Sequence, residues 1–574
     1  MCSAGAGEAI RLDHLSFAYA DQDDLALRDI SLTVARGEMI AVMGATGAGK
    51  TTLAKCLNRT VPAFQGGRLT GEIHVFGRRL QPEGVADMAG IVGLVSQDFE
   101  AQLFATNVVQ EVVFGMEQLG VDPEEMRRRV PRALDAVGLR GFEHRDPATL
   151  SGGEKQRLAI AATLALQPRI LVFDEPTTDL DPLGKLEIFA VLGAMRREGY
   201  TLIVIEHEVA AAEHADRLVV MGDGRILCDD SPARVLAQVE FLREHGVRPP
   251  DMSRLAARLH LVPVPRSVDE AAVALRTRAE TVAPAEQLQR SEEQTAARRD
   301  IRGASGAGDT ALVEADSLAF DYDAGTPALN GVSIRIDAGE FVALIGQNGS
   351  GKTTLAKHLN GLLRPTAGRV LLSGTDLREL PMNRVAAEVG YVFQNPDHQI
   401  FAATVADEVA FGPRNFRVAP DEVAARVQGA LQAVGLQGLE DADPFLLGKG
   451  HRQRLAVASL LALQPRLLIL DEPTTGLDYT EQRHMMDLLA RLHGQGMAIL
   501  IITHSPWVVA EYADRGVLMS AGQILFDGPL RALFAEEALL AHAHFQAPDV
   551  TRLGRRFGVT PLSVDEFVGT IGVR

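Results

Sequence analysis

Gly44-Ala45-Thr46-Gly47-Ala48-Gly49-Lys50-Thr51-Thr52 is the stretch that decides the fold, because it returns as Gly346-Gln347-Asn348-Gly349-Ser350-Gly351-Lys352-Thr353-Thr354. Both fit G-x-x-x-x-G-K-[ST], and each follows an apolar run (MIAVM, FVALI) and opens a helix-compatible one (TLAKCLN, TLAKHLN). That strand, loop and helix context is what the motif requires. Its glycines let successive backbone N–H groups turn inward on phosphate oxygens. The following helix points its positive end at them, and the lysine neutralises the β and γ phosphates. Thr51 and Thr353 are then expected to offer a hydroxyl to Mg²⁺. A Gly-rich turn matches once by chance in roughly one case in ten; two copies, both in context, make chance negligible.

The repetition extends beyond the loops. Tyr19 and Tyr322 each sit in F-x-Y, Gln97 and Gln394 each follow a short β-like run (GLVS, GYVF), and Asp174-Glu175 and Asp471-Glu472 each end an apolar one. Gln97 and Gln394, Asp174 and Asp471, and His207 and His504 are all 297 positions apart. Between lysine and glutamine the first copy is longer, 47 positions against 42, and the surplus falls in VPAFQGGRLTG, a loop insertion. Further on, DMSRLAARLHLVPVPRSVDE from Asp251 matches DVTRLGRRFGVTPLSVDE from Asp549. Each copy therefore carries a small helical C-terminal extension, expected to pack against its counterpart.

Short β-branched runs alternate with helical patterns in each copy, which predicts an α/β core with a mainly parallel sheet. VVQEVVFGMEQLG, MRRRVPRALDAVGL and, in the second copy, VADEVAFGPRNF onward carry helical spacing and predict a helical subdomain. The expected division is a first P-loop domain over 8–230, its extension over 231–275, a linker over 276–310, a second P-loop domain over 311–529 and its extension over 530–574. The linker segment is rich in Arg, Glu, Gln, Ala and Gly with balanced charge, the composition of a flexible connector.

At 574 residues the chain is too long for one core. Three scattered cysteines, Cys2, Cys56 and Cys228, support neither a disulfide framework nor a zinc site, and fit a reducing cytoplasm. No apolar run approaches the roughly 18 to 20 residues that span a bilayer, and no signal pattern opens the chain, so it is expected to insert into no membrane. A net charge of −18 disfavours tight non-specific binding to nucleic acid or anionic lipid.

Asp174 and Asp471 end the runs RILVF and RLLIL, which places each carboxylate at the C-terminal edge of a buried strand beside the phosphate loop, where open α/β sheets bind ligands. A carboxylate there suits the oxygen shell of Mg²⁺. Glu175 and Glu472 are then placed to orient, or take a proton from, an attacking water.

LSGGEKQRLAIA from Leu150, LVFDEPTTDLD and His207, repeated in the second copy with LILDEPTTGLD and His504, resemble the motifs of ATP-binding cassette (ABC) ATPases. A narrower resemblance rests on VFQNPDHQIFAATVADEVAFG from Val392, LNGLLRPTAGRV from Leu359, and the insertion VPAFQGGRLTGEI after Leu57. These are similar to the ATPases of energy-coupling-factor (ECF) importers, which take up vitamins, their precursors, or cobalt and nickel. Some members fuse two ATPase domains, including the branch for thiamine or hydroxymethylpyrimidine uptake.

The resemblance implies ATP and Mg²⁺ as cofactors and ATP hydrolysis as the reaction. It further implies that Tyr19 and Tyr322 stack on adenine, and that Gln97 and Gln394 link the Mg²⁺ and water to a groove for a membrane partner. His207 and His504 would contact the γ-phosphate, and Asp181 and Asp478 would reach across a dimer interface. Ser151, Gly152, Gly153 and Glu154 form the signature that contacts the nucleotide of the opposite copy in a head-to-tail dimer. The second copy departs from this pattern: Gly448-Lys449-Gly450-His451 stands there, with no hydroxyl to donate. Lys449 either substitutes for that contact or points to solvent. The site of Lys352 would then face an intact signature and the site of Lys50 an altered one.

The leading expectation is thus a transport ATPase at the cytoplasmic face of the membrane, working with a transmembrane coupling subunit and a small substrate-binding subunit. The rival, a tandem ABC protein acting on ribosomes or DNA, tends to use a basic arm, bound zinc or an iron–sulfur cluster, and the balanced linker and scattered cysteines speak against all three. Retention of both Glu175 and Glu472 speaks against a module that only holds ATP.

Overall fold

The structure is a computed structural model and describes residues 7–20, 24–80, 88–277, 311–322 and 327–571. The linker expected over 276–310 lies, from residue 278 onward, outside the described residues. The chain divides into two compact units: Met1–Pro250 with Asp478–Thr480, and Asp251–Leu477 with Glu481–Arg574.

In the first unit a six-stranded sheet runs in the order Arg225–Asp230, Arg217–Gly222, Met39–Gly44, Thr201–Ile205, Ile170–Asp174, Val92–Val95. Its neighbours are parallel except the first pair, which is antiparallel. Every residue of Met39–Gly44, Ile170–Asp174 and Thr201–Ile205 is buried. Strands covered on both faces read as continuous apolar runs, which is why periodicity alone marks them only as short apolar stretches. The second unit repeats the sheet with Gln523–Pro529, Arg515–Ser520, Phe341–Ile345, Ala498–Ile502, Leu467–Asp471 and Val389–Val392.

Each unit also holds a four-stranded antiparallel sheet that the expected parallel core does not contain. In the first it is Leu27–Ala35, Glu8–Ala18, Arg68–Val75, Arg78–Arg79, and in the second Pro327–Ile336, Val313–Asp321, Ala367–Leu372, Thr375–Asp376. Ile10, Leu12, Leu15 and Phe17 all turn inward, onto Ile40, Val42, Leu53 and Leu57. An irregularity between Leu12 and Leu15, with His14 in a left-handed conformation, resets the alternation so that both halves of the strand face the core.

The helical subdomain of the first unit is Val108–Gln118, Pro123–Ala136 and Gly152–Ala165, and each helix is capped by a side chain that accepts a backbone N–H: Asn107, Asp122 and Ser151. Its counterpart is Val405–Asn415, Pro420–Val434 and Lys449–Leu461.

Helices Pro232–Leu236 and Val239–Glu244 fall in the first unit, where Val235, Leu236 and Leu242 pack on Ala41, Met43, Leu218 and Val220. The helices Asp251–Leu259 and Val268–Thr277 fall in the second. There they share one core with Asp549–Arg555 and Val564–Ile571, built on Leu255, Ala271, Leu553, Phe567 and Ile571. Ion pairs Arg258–Asp565, at 2.8 Å, and Arg556–Asp269 rim it. Phe567 is fully buried, so Phe567→Ala is expected to destabilise the second unit by about 3 to 5 kcal/mol, read from its urea unfolding transition, with Phe567→Leu costing much less.

Candidate active sites

In each copy the loop after a central strand closes around its own lysine. Lys50 Nζ donates to the carbonyls of Gly44 and Ala45 at 2.8 and 2.9 Å, and Lys352 Nζ to those of Gly346 and Gln347 at 2.7 Å each. Burial lowers the pKa of Lys50, against the opposing pull of Glu175 and Asp174. The backbone crowds here: a Cβ on Gly44 would lie 2.1 Å from the carbonyl oxygen of Met221, and one on Gly346 2.2 Å from that of Met519. Only glycine admits that approach. Tyr19 and Tyr322 each bring the hydroxyl to the last threonine of the loop, Thr52 at 3.1 Å and Thr354 at 3.2 Å.

The strand-end carboxylates meet the loops as expected. Thr51 Oγ1 donates to Asp174 at 3.2 Å and Thr353 Oγ1 to Asp471 at 2.8 Å. Burial pushes Asp174 up to about 6 and moves Asp471 in the same direction. The following residues, Glu175 and Glu472, have φ of 51° and 49°. This left-handed backbone is costly for a glutamate and is held by their N–H groups donating to Ile205 and Ile502 at 2.9 and 3.0 Å.

Glu175 is the hub of the first site. Its carboxylate accepts from Gln97 Nε2 at 2.8 Å and Thr178 Oγ1 at 3.1 Å, and lies 3.0 Å from His207 Nε2. Burial works against its charge, yet His207, Lys50 and Thr178 together hold it below the usual carboxylate range. In the second site His504 Nε2 lies 3.3 Å from Glu472 and 3.1 Å from Asn348 Oδ1. Lys50, Thr51, Asp174, Glu175, Gln97 and His207 are thus linked around the first loop, and Lys352, Thr353, Asp471, Glu472 and His504 around the second.

The signature serine caps its helix reciprocally: Ser151 Oγ accepts from Glu154 N–H at 3.3 Å, and Glu154 Oε2 accepts from Ser151 N–H at 2.8 Å. Gly448 starts the matching helix with no side-chain cap. Glycine costs only a few tenths of a kcal/mol at an N-cap, so the fold tolerates the exchange and the loss falls on hydrogen bonding at the helix mouth.

Two residues escaped the sequence reading. Tyr391 donates its hydroxyl to Asp471 Oδ2 at 2.9 Å. Glu206, 1% exposed, accepts from Thr177 N–H and Oγ1 at 2.9 and 2.7 Å and from His207 N–H at 3.1 Å. A lone acid inside TLIVIEH was a visible signal for Glu206; Tyr391 shows only once the strands pair.

The family model described as ABC transporter matches residues 27–178 and 329–475. A protein of Caldanaerobacter subterraneus subsp. tengcongensis, named as an ABC transporter ATP-binding protein, is 45% identical over 559 residues, covering 96% of this chain and 97% of its own. A protein of Methanosarcina acetivorans, named likewise, is 40% identical over 560 residues, covering 96% of this chain and 91% of its own. Among solved structures, cbiO1 from Clostridium perfringens, described as part of the ABC transporter complex cbiONQ, is 33% identical, covers 44% of this chain and 100% of its own, and superposes with a TM-score of 0.38.

Burial pushes Glu206 up to about 7 from its ordinary 4.5. Between those values the folded chain holds a proton that the unfolded chain has lost, so stability falls as pH rises through this window and levels off above it. At about 1.4 kcal/mol per pKa unit the whole loss across the window amounts to roughly 3 kcal/mol. Denaturant unfolding of the first unit at pH 5 and pH 8 is expected to show that loss, and Glu206→Gln to flatten it.

Proposed function

The chain belongs to the ABC transporter family, and from that premise we propose that it is the energy-coupling ATPase of an ECF-type importer. In this reading, hydrolysis at the loops of Lys50 and Lys352 drives uptake of a vitamin, a vitamin precursor or a transition-metal ion through separate membrane subunits. The chain binds and hydrolyses ATP as a member of its family. The ECF type is supported by QNPDHQIF (394–401), LNGLLRPTAGRV and the insertion after Leu57. Among the described residues no helix is long and apolar enough to cross a membrane, so the reading needs partner subunits and a surface to receive them, at the cytoplasmic face.

The observation that carries this reading is an exposed aromatic pair downstream of each glutamine, Phe104 and Phe401 each standing seven positions after it. Phe104 meets Phe114 edge-on with ring centroids 4.5 Å apart, and Phe401 meets Phe411 likewise at 4.6 Å. Phe104 is 60% exposed and Phe401 58%. Each loop is pinned from below by a buried glutamate: Glu111 accepts the N–H groups of Phe104 and Ala105, and Glu408 those of Phe401 and Ala402, at 2.8 to 2.9 Å. Water-facing aromatics held this firmly suit a helix of a membrane subunit. In the first copy Gln97, seven positions before Phe104, donates to Glu175 at 2.8 Å.

Thr51 with Asp174, and Thr353 with Asp471, form all-oxygen donor sets whose spacing fits Mg²⁺, with Gln97 and Gln394 as further oxygen donors. When bound, Mg²⁺ would neutralise charge on the β and γ phosphates. Lys50 and Lys352 bind the same phosphates, Glu175 and Glu472 orient the attacking water and hold its proton, and His207 and His504 fix those carboxylates and face the γ-phosphate. Tyr19 and Tyr322 stack on adenine. The two units close as an intramolecular head-to-tail dimer in which Ser151, Gly152, Gly153 and Glu154 complete the site of Lys352, and Gly448 to His451 that of Lys50.

In the assembled transporter, Glu472→Gln alone is expected to nearly abolish ATPase turnover while Glu175→Gln leaves a substantial fraction. Losing one preorganised donor costs up to roughly 10²- to 10³-fold. Equal losses, or the larger loss with Glu175→Gln, would overturn this pairing. Phe104→Asp with Phe401→Asp is expected to release the chain from membranes that hold its partner subunits while ATP binding persists, measured by flotation against protein-free liposomes, which should bind neither form.

A further inference from the structure

Tyr391 lies on the edge strand Val389–Val392, two positions short of the row of Asp471, since Tyr391 pairs with Ile469. It is buried, 6% exposed, and its ring meets Phe393 edge-on at 5.0 Å. Its hydroxyl donates to the same oxygen of Asp471, Oδ2, that accepts from Thr353 Oγ1, at 2.9 and 2.8 Å. Two donors from two different elements fix the rotation of that carboxylate. At the matching place in the first copy stands Leu94, paired with Val172 in the same register. Leucine has no donor. Asp174 therefore lacks a phenol partner, and the Thr51 hydroxyl reaches it at 3.2 Å.

We propose that Tyr391 is a positioning residue for the divalent cation of the second site, and that its replacement by Leu94 makes the two ATP sites unequal in metal affinity. The inference rests on the ATPase reading above but is independent of the signature difference, which lies on another element. A carboxylate already aligned by two hydrogen bonds gives up less rotational freedom on meeting a cation than one held by a single longer bond. A phenol, with an ordinary pKa of about 10, is a donor at neutral pH. The chain thus builds a stiffer metal shelf at Lys352 than at Lys50.

The test uses Mn²⁺ as a paramagnetic probe, bound to the full chain with ATP in a Glu175→Gln, Glu472→Gln background that halts turnover. Electron paramagnetic resonance titration is expected to resolve two classes of Mn²⁺ site. Tyr391→Phe, which removes one hydroxyl from an otherwise unchanged ring, should weaken the tighter class by about 3- to 30-fold. It should leave the weaker class and ATP affinity in EDTA where they were. Tyr391→Leu should make the two classes coincide, and Asp471→Asn should remove the same class that Tyr391→Phe weakens. A single class in the parent chain, or a Tyr391→Phe titration superimposable on the parent, overturns the proposal while leaving the ATPase reading intact. Failure of Mn²⁺ to bind with ATP at all overturns both.

Discussion

A charged amine that is 6% exposed has to be surrounded by oxygen, and here the backbone supplies it. Lys50 and Lys352 each sit on two carbonyls of the loop that precedes them. Burying an ammonium is costly without hydrogen bonds to it, so opening the loop would cost its own lysine two of them. That constraint fixes the loop, the loop fixes the helix that follows, and the contact of Gly44 with Met221 fixes the neighbouring strand. The remaining polar groups are arranged around that loop. Preorganisation of this kind is what lets a few hydrogen bonds act on a developing charge.

Much of this was legible in sequence because it is local. The loops, the carboxylates at strand ends and the helical spacing of the subdomains are short patterns whose residue types have one good structural use. The antiparallel sheets were not: their strands are half-exposed and their alternation is broken at His14 and Ser317, both in left-handed conformations. The strained backbone of Glu175 and Glu472 leaves no trace in residue type, since a glutamate reads the same at any φ. Tyr391 was hidden for a different reason. Its partner is 80 positions away, and only strand pairing brings them to one place.

The two copies share a backbone plan and diverge in the polar groups that support it. Leu94 stands against Tyr391, Glu206 against Thr503, and Ser151 against Gly448. Thr503 accepts the N–H of Ser505 at 3.1 Å, whereas Glu206 ties His207 to Thr177, the second residue after Glu175. None of these exchanges disturbs the strands, which are packed on both faces by residues of similar size. Duplicated domains drift apart most freely where one hydrogen bond is at stake and least where a core volume is. Here the exchanged positions lie beside a strand-end acid, between Thr177 and His207, and at a helix N-cap.

The shared core of the two extensions has a consequence for how the chain is made. Thr277 leaves the ribosome 272 residues before Asp549, the first residue of the helix that covers it. At about 5 to 20 residues per second that is a wait of roughly 15 to 55 s. For that interval the nascent chain carries Leu255, Leu259, Ala271 and Leu275 without the Val550, Leu553 and Phe567 that bury them. The first half therefore leaves the tunnel able to complete its sheets but not its last two helices. Those helices stay in want of cover until the second half is nearly finished. Because both halves travel on one polypeptide, the cover arrives tethered to the surface that needs it, and no second message has to be translated nearby or in equal amount.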